Sequence, residues 1–177
     1  MEKNFPNIWS KVEIENVKEV SLFTTSEASG SSLKPNVFSA HHDFVLVDNV
    51  TLGSWTHEAY SNEFDGTYIW GRGCFDNNNM LIVSLQAVEY MLKNEPDFKP
   101  NRTVILAYGA DEEVSGKWGA IYIIKVLLDR YGNMITNYIG EWVTAPATGE
   151  KGYVTLQVDH AAPGDTLPHN QTILQLV

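Results

Sequence analysis

The feature that most limits how this chain can fold is the run Thr103-Val104-Ile105-Leu106-Ala107-Tyr108, six residues with scarcely a polar side chain. A strand of that kind is apolar on both faces, so it belongs inside a sheet that is covered above and below. The run is followed by Asp111-Glu112-Glu113 and then by a segment of helical period over 117–131, with Ala120, Ile123, Ile124, Leu127 and Leu128 on one face and Gly132 as a stop. A covered strand leading into a helix is the repeating unit of an α/β layer. With 177 residues, of which 44% are hydrophobic, the chain has material for one core and at most a piece of a second.

The rest of the chain extends that pattern. Residues 17–25 and 37–47 are rich in Val, Phe and Leu and read as strands, separated by the turn-prone Ser26-Glu27-Ala28-Ser29-Gly30-Ser31-Ser32. From Asn77 to Asn94 the spacing of Leu81, Leu85, Val88 and Leu92 predicts a helix, with an Asn-rich start able to cap it and Pro96 just past its end. Short strands are predicted at 137–143 and, through Val154, Leu156 and Val158, at 152–159. Strand and helix alternate, so the fold class is α/β.

Charge and composition exclude several functions. Twelve Lys and Arg against twenty-two Asp and Glu give a net charge of -10, which repels phosphate backbones and anionic membrane surfaces, so no nucleic-acid partner is expected. No stretch reaches the roughly eighteen apolar residues of a membrane span, and the first nine residues lack the order of a signal peptide. The three Asn-x-Ser/Thr triplets at Asn49, Asn101 and Asn170 are about what chance supplies. A single cysteine, Cys74, forms no internal disulfide and no thiolate cage, so any metal must be held by His and carboxylates.

Three polar clusters lie in or beside these elements, where open α/β sheets place their sites. His41-His42-Asp43 interrupts an apolar strand, and strand alternation sets His41 and Asp43 on one face. A His with a carboxylate two residues on suits a metal site, because the carboxylate takes the second ring N–H and fixes the tautomer. Gly71-Arg72-Gly73-Cys74-Phe75-Asp76 runs into the helix and delivers Asp76 at its N-terminus. Asp111-Glu112-Glu113 sets three carboxylates side by side, a repulsive arrangement unless it is solvated or neutralised by cations. Taken singly, each cluster is an ordinary polar patch, turn or solvated helix start. A calcium loop at Asp76-Asn77-Asn78-Asn79 lacks the required Gly and terminal Glu. The occurrence of all three clusters at sheet ends is what points to chemistry.

Read together with Ser32-Leu33-Lys34-Pro35, Trp55-Thr56-His57, Asp65-Gly66-Thr67-Tyr68-Ile69-Trp70 and Glu150-Lys151-Gly152-Tyr153-Val154, these clusters make the chain resemble the zinc aminoacylase and carboxypeptidase family of metallopeptidases, in its carboxypeptidase S branch. The resemblance implies a three-layer αβα catalytic domain on a mostly parallel sheet, incomplete over 1–152, with a lid or dimerisation domain beginning at 153–177. It implies that His41 binds one zinc ion, that Asp43 orients His41, that Asp76 bridges two zinc ions, that Glu113 binds the second and that Glu112 is the general base. Two ions about 4 Å apart need such a bridge and share a water whose pKa they lower. Substrates would be peptides cleaved at the C-terminus or N-acyl amino acids, the assembly a homodimer, and the location a vacuolar or secretory lumen.

Four departures from the family pattern accompany it. Where the family has an Asp ligand, this chain reads Ile139-Gly140-Glu141-Trp142, and Gly140 has no side chain with which to ligate. The last metal-binding His falls beyond Val177, Asn78 stands where a Lys is usual, and Pro163-Gly164-Asp165-Thr166 lacks the lid His. Each ion then keeps two protein ligands where a catalytic zinc has three, so weak or single occupancy is expected. The competing expectation is a catalytically inactive remnant that binds metal weakly or serves only as an interaction module.

Overall fold

The structure, a computed structural model, describes residues 1–30 and 32–132 and the strands at 137–139, 153–160 and 169–176. By contacts the chain falls into two units, Met1–Ala147 and Thr148–Val177.

In the first unit, α1 (Pro6–Lys11), β1 (Glu13–Val17), β2 (Ser21–Ser26), β3 (Asn36–His41), a small hairpin of β4 (Glu63–Phe64) and β5 (Ile69–Trp70), α2 (Asn78–Asn94), β6 (Val104–Gly109), α3 (Ala120–Tyr131) and β7 (Asn137–Ile139) follow in order. The main sheet runs β1-β2-β6-β3-β7. The first two pairings are antiparallel, while β3 pairs parallel with both β6 and β7. The α/β class holds, with a sheet that is partly parallel.

The apolar run at β6 sits where its composition requires, between two helical layers. Leu106 and Tyr108 point into a core with Phe5, Ile8, Ala40, Leu81, Leu85, Val88 and Leu92, beneath α1 and α2. Ile105 and Ala107 point the other way, into a core with Val17, Phe23, Val37, Ile123 and Leu127 beneath α3. Strand alternation thus divides one continuous apolar run between two cores.

Several expected elements differ in extent. Residues 17–25 are not one strand. The chain reverses through Lys18 and Glu19, both at positive φ, between β1 and β2, where two adjacent charges interrupt the apolar pattern. The strand expected over 37–47 ends at His41, and Val45 and Leu46 are exposed, because the chain turns out of the sheet to bring Asp43 toward the segment after β6. Helix α2 has the expected stripe of Leu81, Leu85, Val88 and Leu92, but Asn77 makes no side-chain cap, and Asn79 Oδ1 instead accepts the N–H of Met80 at 2.6 Å. Helix α3 begins at Ala120 rather than 117 and buries Ile123 and Leu127, leaving Ile124 and Leu128 half exposed.

The second unit contains β8 (Tyr153–His160) and β9 (His169–Leu176), an antiparallel pair in the register Tyr153↔Leu176 to His160↔His169. Strand β8 corresponds to the strand expected at 152–159, whereas β9 has no counterpart among the expected elements. Gly140, Glu141 and the segment 163–166 lie outside the described residues. Among the described residues no helix is long and apolar enough to cross a membrane.

Candidate metal centre

Parallel strands β3 and β6 end together, His41 being paired with Gly109, and the N–H of His42 donates to the Gly109 carbonyl at 3.0 Å. The segments leaving the two strands therefore emerge at one edge of the sheet: His42 and Asp43 after β3, and Asp111, Glu112 and Glu113 after β6. The turn before α2 brings Asp76 to the same place, 3.2 Å from the His41 ring.

His41 is 2% exposed. Its Nδ1 lies 3.0 Å from the backbone carbonyl of Asp43 and 3.3 Å from Asp43 Oδ1. A carbonyl only accepts, so Nδ1 donates to it, and Nε2 is the ring nitrogen turned toward the carboxylates. Nε2 lies 3.2 Å from Asp76 Oδ1 and 3.8 Å from Glu112 Oε2. Toward these carboxylates Nε2 donates when the ring is protonated, and it offers its lone pair to a metal ion when the ring is neutral.

The Asp43 carboxylate reaches further than His41. Its Oδ1 accepts the N–H of Glu112 at 3.2 Å and its Oδ2 the N–H of Glu113 at 3.1 Å. One carboxylate thus holds both the imidazole and the 3-10 turn Glu112–Val114. Histidine and its carboxylate meet as expected, although Asp43 does so from outside the strand.

His41, Glu112 and Glu113 each offer a ligand atom within 4.8 Å of the other two, and Asp76 joins them through His41. One imidazole and several carboxylates are a donor set suited to zinc and to other borderline or hard divalent ions. Partial burial pushes the Glu112 carboxyl above its usual range; His41 opposes this, while Glu113, Asp43 and Asp76 add to it. That direction is the one a base working near neutral pH needs.

Two supporting residues fall outside the expected site. The carboxylate of Asp111 is engaged elsewhere than Glu112 and Glu113, accepting the N–H groups of Trp118 and Gly119, each at 2.7 Å. Gly73, at φ +81, has Phe44 packed against it, a Cβ there falling 3.0 Å from the Phe44 ring. The two glycines around Arg72 are visible in the sequence as a sign of an unusual backbone path. Asp111 gives no local sign, since its partners lie seven and eight residues on.

Residues 37–168 match the sequence pattern of peptidase family M20/M25/M40. Carboxypeptidase S of Saccharomyces cerevisiae is 38% identical over 189 residues, covering 97% of this chain and 32% of that protein. The N-fatty-acyl-amino acid synthase/hydrolase PM20D1 of Mus musculus is 35% identical over 130 residues, 72% of this chain and 25% of that protein. The chain thus spans about a third or less of the length of these relatives. Among solved structures, the M20 family metallo-carboxypeptidase Sso-CP2 from Sulfolobus solfataricus superposes with a TM-score of 0.61 at 17% identity, over 91% of this chain and 38% of that one. Human carnosine dipeptidase 1 gives 0.60 at 13% identity, over 90% of this chain and 34% of that one. At those identities the superpositions speak for the fold alone. The sequence matches establish the descent: this chain belongs to peptidase family M20/M25/M40.

Proposed function

We propose that the chain carries metal-binding residues of a zinc-dependent hydrolase that cleaves C-terminal peptide bonds or N-acyl amino acids. The observation that carries this reading is the convergence of His41 Nε2, its ring oriented by the Asp43 carbonyl, with the carboxylates of Asp76, Glu112 and Glu113. His41, Asp76 and Glu113 would hold the metal, as two zinc ions in the full complement. Zinc bound there supplies Lewis acidity, polarising the scissile carbonyl and acidifying water. Asp43 keeps the His41 ring and the Glu112–Glu113 backbone in place. Glu112, its carboxyl held above the usual carboxylate range by burial, takes the proton of the attacking water and passes it to the leaving amine. Residues 153–177 are the start of a lid or dimerisation domain in this reading, and a vacuolar or secretory lumen is its setting.

A second reading, metal binding without turnover, is favoured by one observation. Glu112 is itself one of the three converging groups, and a carboxylate that ligates the metal is not free to act as its base. The variant Glu112→Gln separates the two. The purified chain is stripped of metal, reloaded with zinc, analysed for zinc per chain and assayed on N-acyl amino acids and dipeptides. A base role predicts hydrolysis falling about 10²- to 10⁴-fold with zinc content unchanged. Zinc lost from Glu112→Gln, with no hydrolysis by the parent chain, establishes the second reading. A parent chain that retains no zinc sinks both.

A further inference from the structure

Asp111 stands immediately before the two glutamates of the centre, yet its carboxylate is turned away from them. Oδ2 accepts the N–H of Trp118 and Oδ1 the N–H of Gly119, each at 2.7 Å, while the Asp111 carbonyl accepts the N–H of Gly116 at 2.7 Å. The Trp118 and Gly119 amides lie just before α3, Gly119 being its N-cap, where a negative charge is favoured by the helix dipole.

Gly119 is the seat that admits this carboxylate. A Cβ built there would lie 2.7 Å from Asp111 Oδ1 and 2.7 Å from the Ala110 nitrogen, so the position has room only for hydrogen. Between the two ends, Ser115 at φ +88 and Gly116 at φ +63 fold the chain back on itself. Asp111 thereby ties the start of the loop 111–119 to its end.

Glu112 and Glu113 are consequently held from two directions: their own N–H groups lie on Asp43, and the residue before them is tied to α3. We infer that Asp111 is a positioning residue for the metal-binding carboxylates, fixing Glu112 and Glu113 through the start of α3, and that Gly119 is required to admit it. The inference rests on the metal-centre reading above. Groups that orient ligands in this way typically govern metal affinity by about 10- to 100-fold.

Two variants disturb this link from opposite sides. Asp111→Asn keeps one carbonyl oxygen but turns an amide NH2 toward one of the two N–H donors. Gly119→Ala leaves Asp111 chemically intact and displaces it by contact. Zinc affinity is measured on the metal-free chain by competition with a chromophoric chelator. Near-UV circular dichroism reports the fold, and hydrogen exchange is followed over 110–119. Glu89→Gln, which loosens the packing of α1 on α2 and lies outside the centre, serves as the destabilised control.

The expected result is zinc bound about 10- to 100-fold more weakly by both variants, with faster exchange over 110–119, while Glu89→Gln binds as the parent does. Should Gly119→Ala fail to fold, Asp111→Asn decides alone. Parent-like affinity in folded variants overturns the positioning role and leaves the metal centre standing. An equal loss in Glu89→Gln also overturns it, since the effect would then be general loosening. A parent chain that binds no zinc removes the metal centre and this inference together.

Discussion

Asp43 holds Glu113 by its backbone, the Oδ2 of Asp43 accepting the Glu113 N–H at 3.1 Å while the other oxygen takes the N–H of Glu112 at 3.2 Å. The same carboxylate lies 3.3 Å from His41 Nδ1. The imidazole from one strand and the two glutamates after its neighbour are therefore set relative to each other by a single side chain. Orientation of the imidazole alone would need only the Asp43 carbonyl, which already accepts from Nδ1 at 3.0 Å.

Replacement of Asp43 tests this division of labour. Asp43→Ala leaves the backbone carbonyl to His41 but strips two N–H groups of their acceptor, at a cost of about 1–3 kcal/mol. Zinc affinity should fall by about 10- to 100-fold. Asp43→Asn, which keeps one acceptor oxygen, should fall between Ala and the parent. Urea unfolding and chelator competition read the two effects. An Asp43→Ala chain that binds zinc normally would show that the carbonyl suffices.

Gly73 tests the other support of the centre. Its φ of +81 disfavours a side chain, and a Cβ there would press on Phe44, the neighbour of Asp43, at 3.0 to 3.1 Å. Gly73→Ala should lose about 1–3 kcal/mol in urea unfolding, from backbone strain and displacement of the ring. It should also weaken zinc binding, because Phe44 and Asp43 move together. A stability loss with unchanged zinc affinity would uncouple the ring from the centre.

The sequence discloses most of the features that depend on short-range pattern. The apolar run of β6 and the Leu81-Leu85-Val88-Leu92 stripe of α2 follow from period and composition, and both helical layers follow from them. The end of β3 is hidden because Phe44, Val45 and Leu46 continue an apolar pattern that the tertiary demand on Asp43 overrides. Within the site, His41 and Asp43 declare themselves by spacing, and so does the acidic pair. The distinct role of Asp111 does not, because a carboxylate that serves a helix start reads in sequence like the two beside it. The buried Glu89 is equally invisible, a charged residue on a helix whose partners are more than eighty residues away.

Inside the first core, Tyr108 and Ser84 form a polar pair at 2.7 Å, with Ser84 also bonded to the Met80 and Leu81 carbonyls. Burial holds the Tyr108 phenol well above its usual range, so it stays neutral. Tyr108→Phe removes one hydrogen bond and keeps the ring, so stability should fall by about 1 kcal/mol without change in zinc affinity. A loss several times larger in urea unfolding would mean that Ser84 cannot satisfy itself on the helix carbonyls.

Glu89 yields a prediction with a definite sign in pH. Its carboxylate, 6% exposed, accepts the N–H groups of Asn7 and Ile8 at 3.1 and 3.0 Å and the Asn7 side-chain amide at 2.6 Å, fastening α1 onto α2. Burial by itself raises its pKa, but those bonds, with a smaller contribution from Lys11, outweigh burial and hold the carboxyl below the ordinary value of 4.5. A carboxyl with a depressed folded-state pKa binds more protons when the chain is unfolded, so stability rises with pH through that window. The contribution of Glu89 is present above the unfolded value and is lost as pH falls through the lower folded one. Glu89→Gln should therefore be less stable than the parent at pH 7, by roughly 2 kcal/mol for charged hydrogen bonds to buried amides. The gap between the two unfolding curves should narrow as the pH is taken below about 4. A gap that stays constant down to about pH 3 would mean that the interaction does not depend on the charge of Glu89, and that shape alone fastens the first helix.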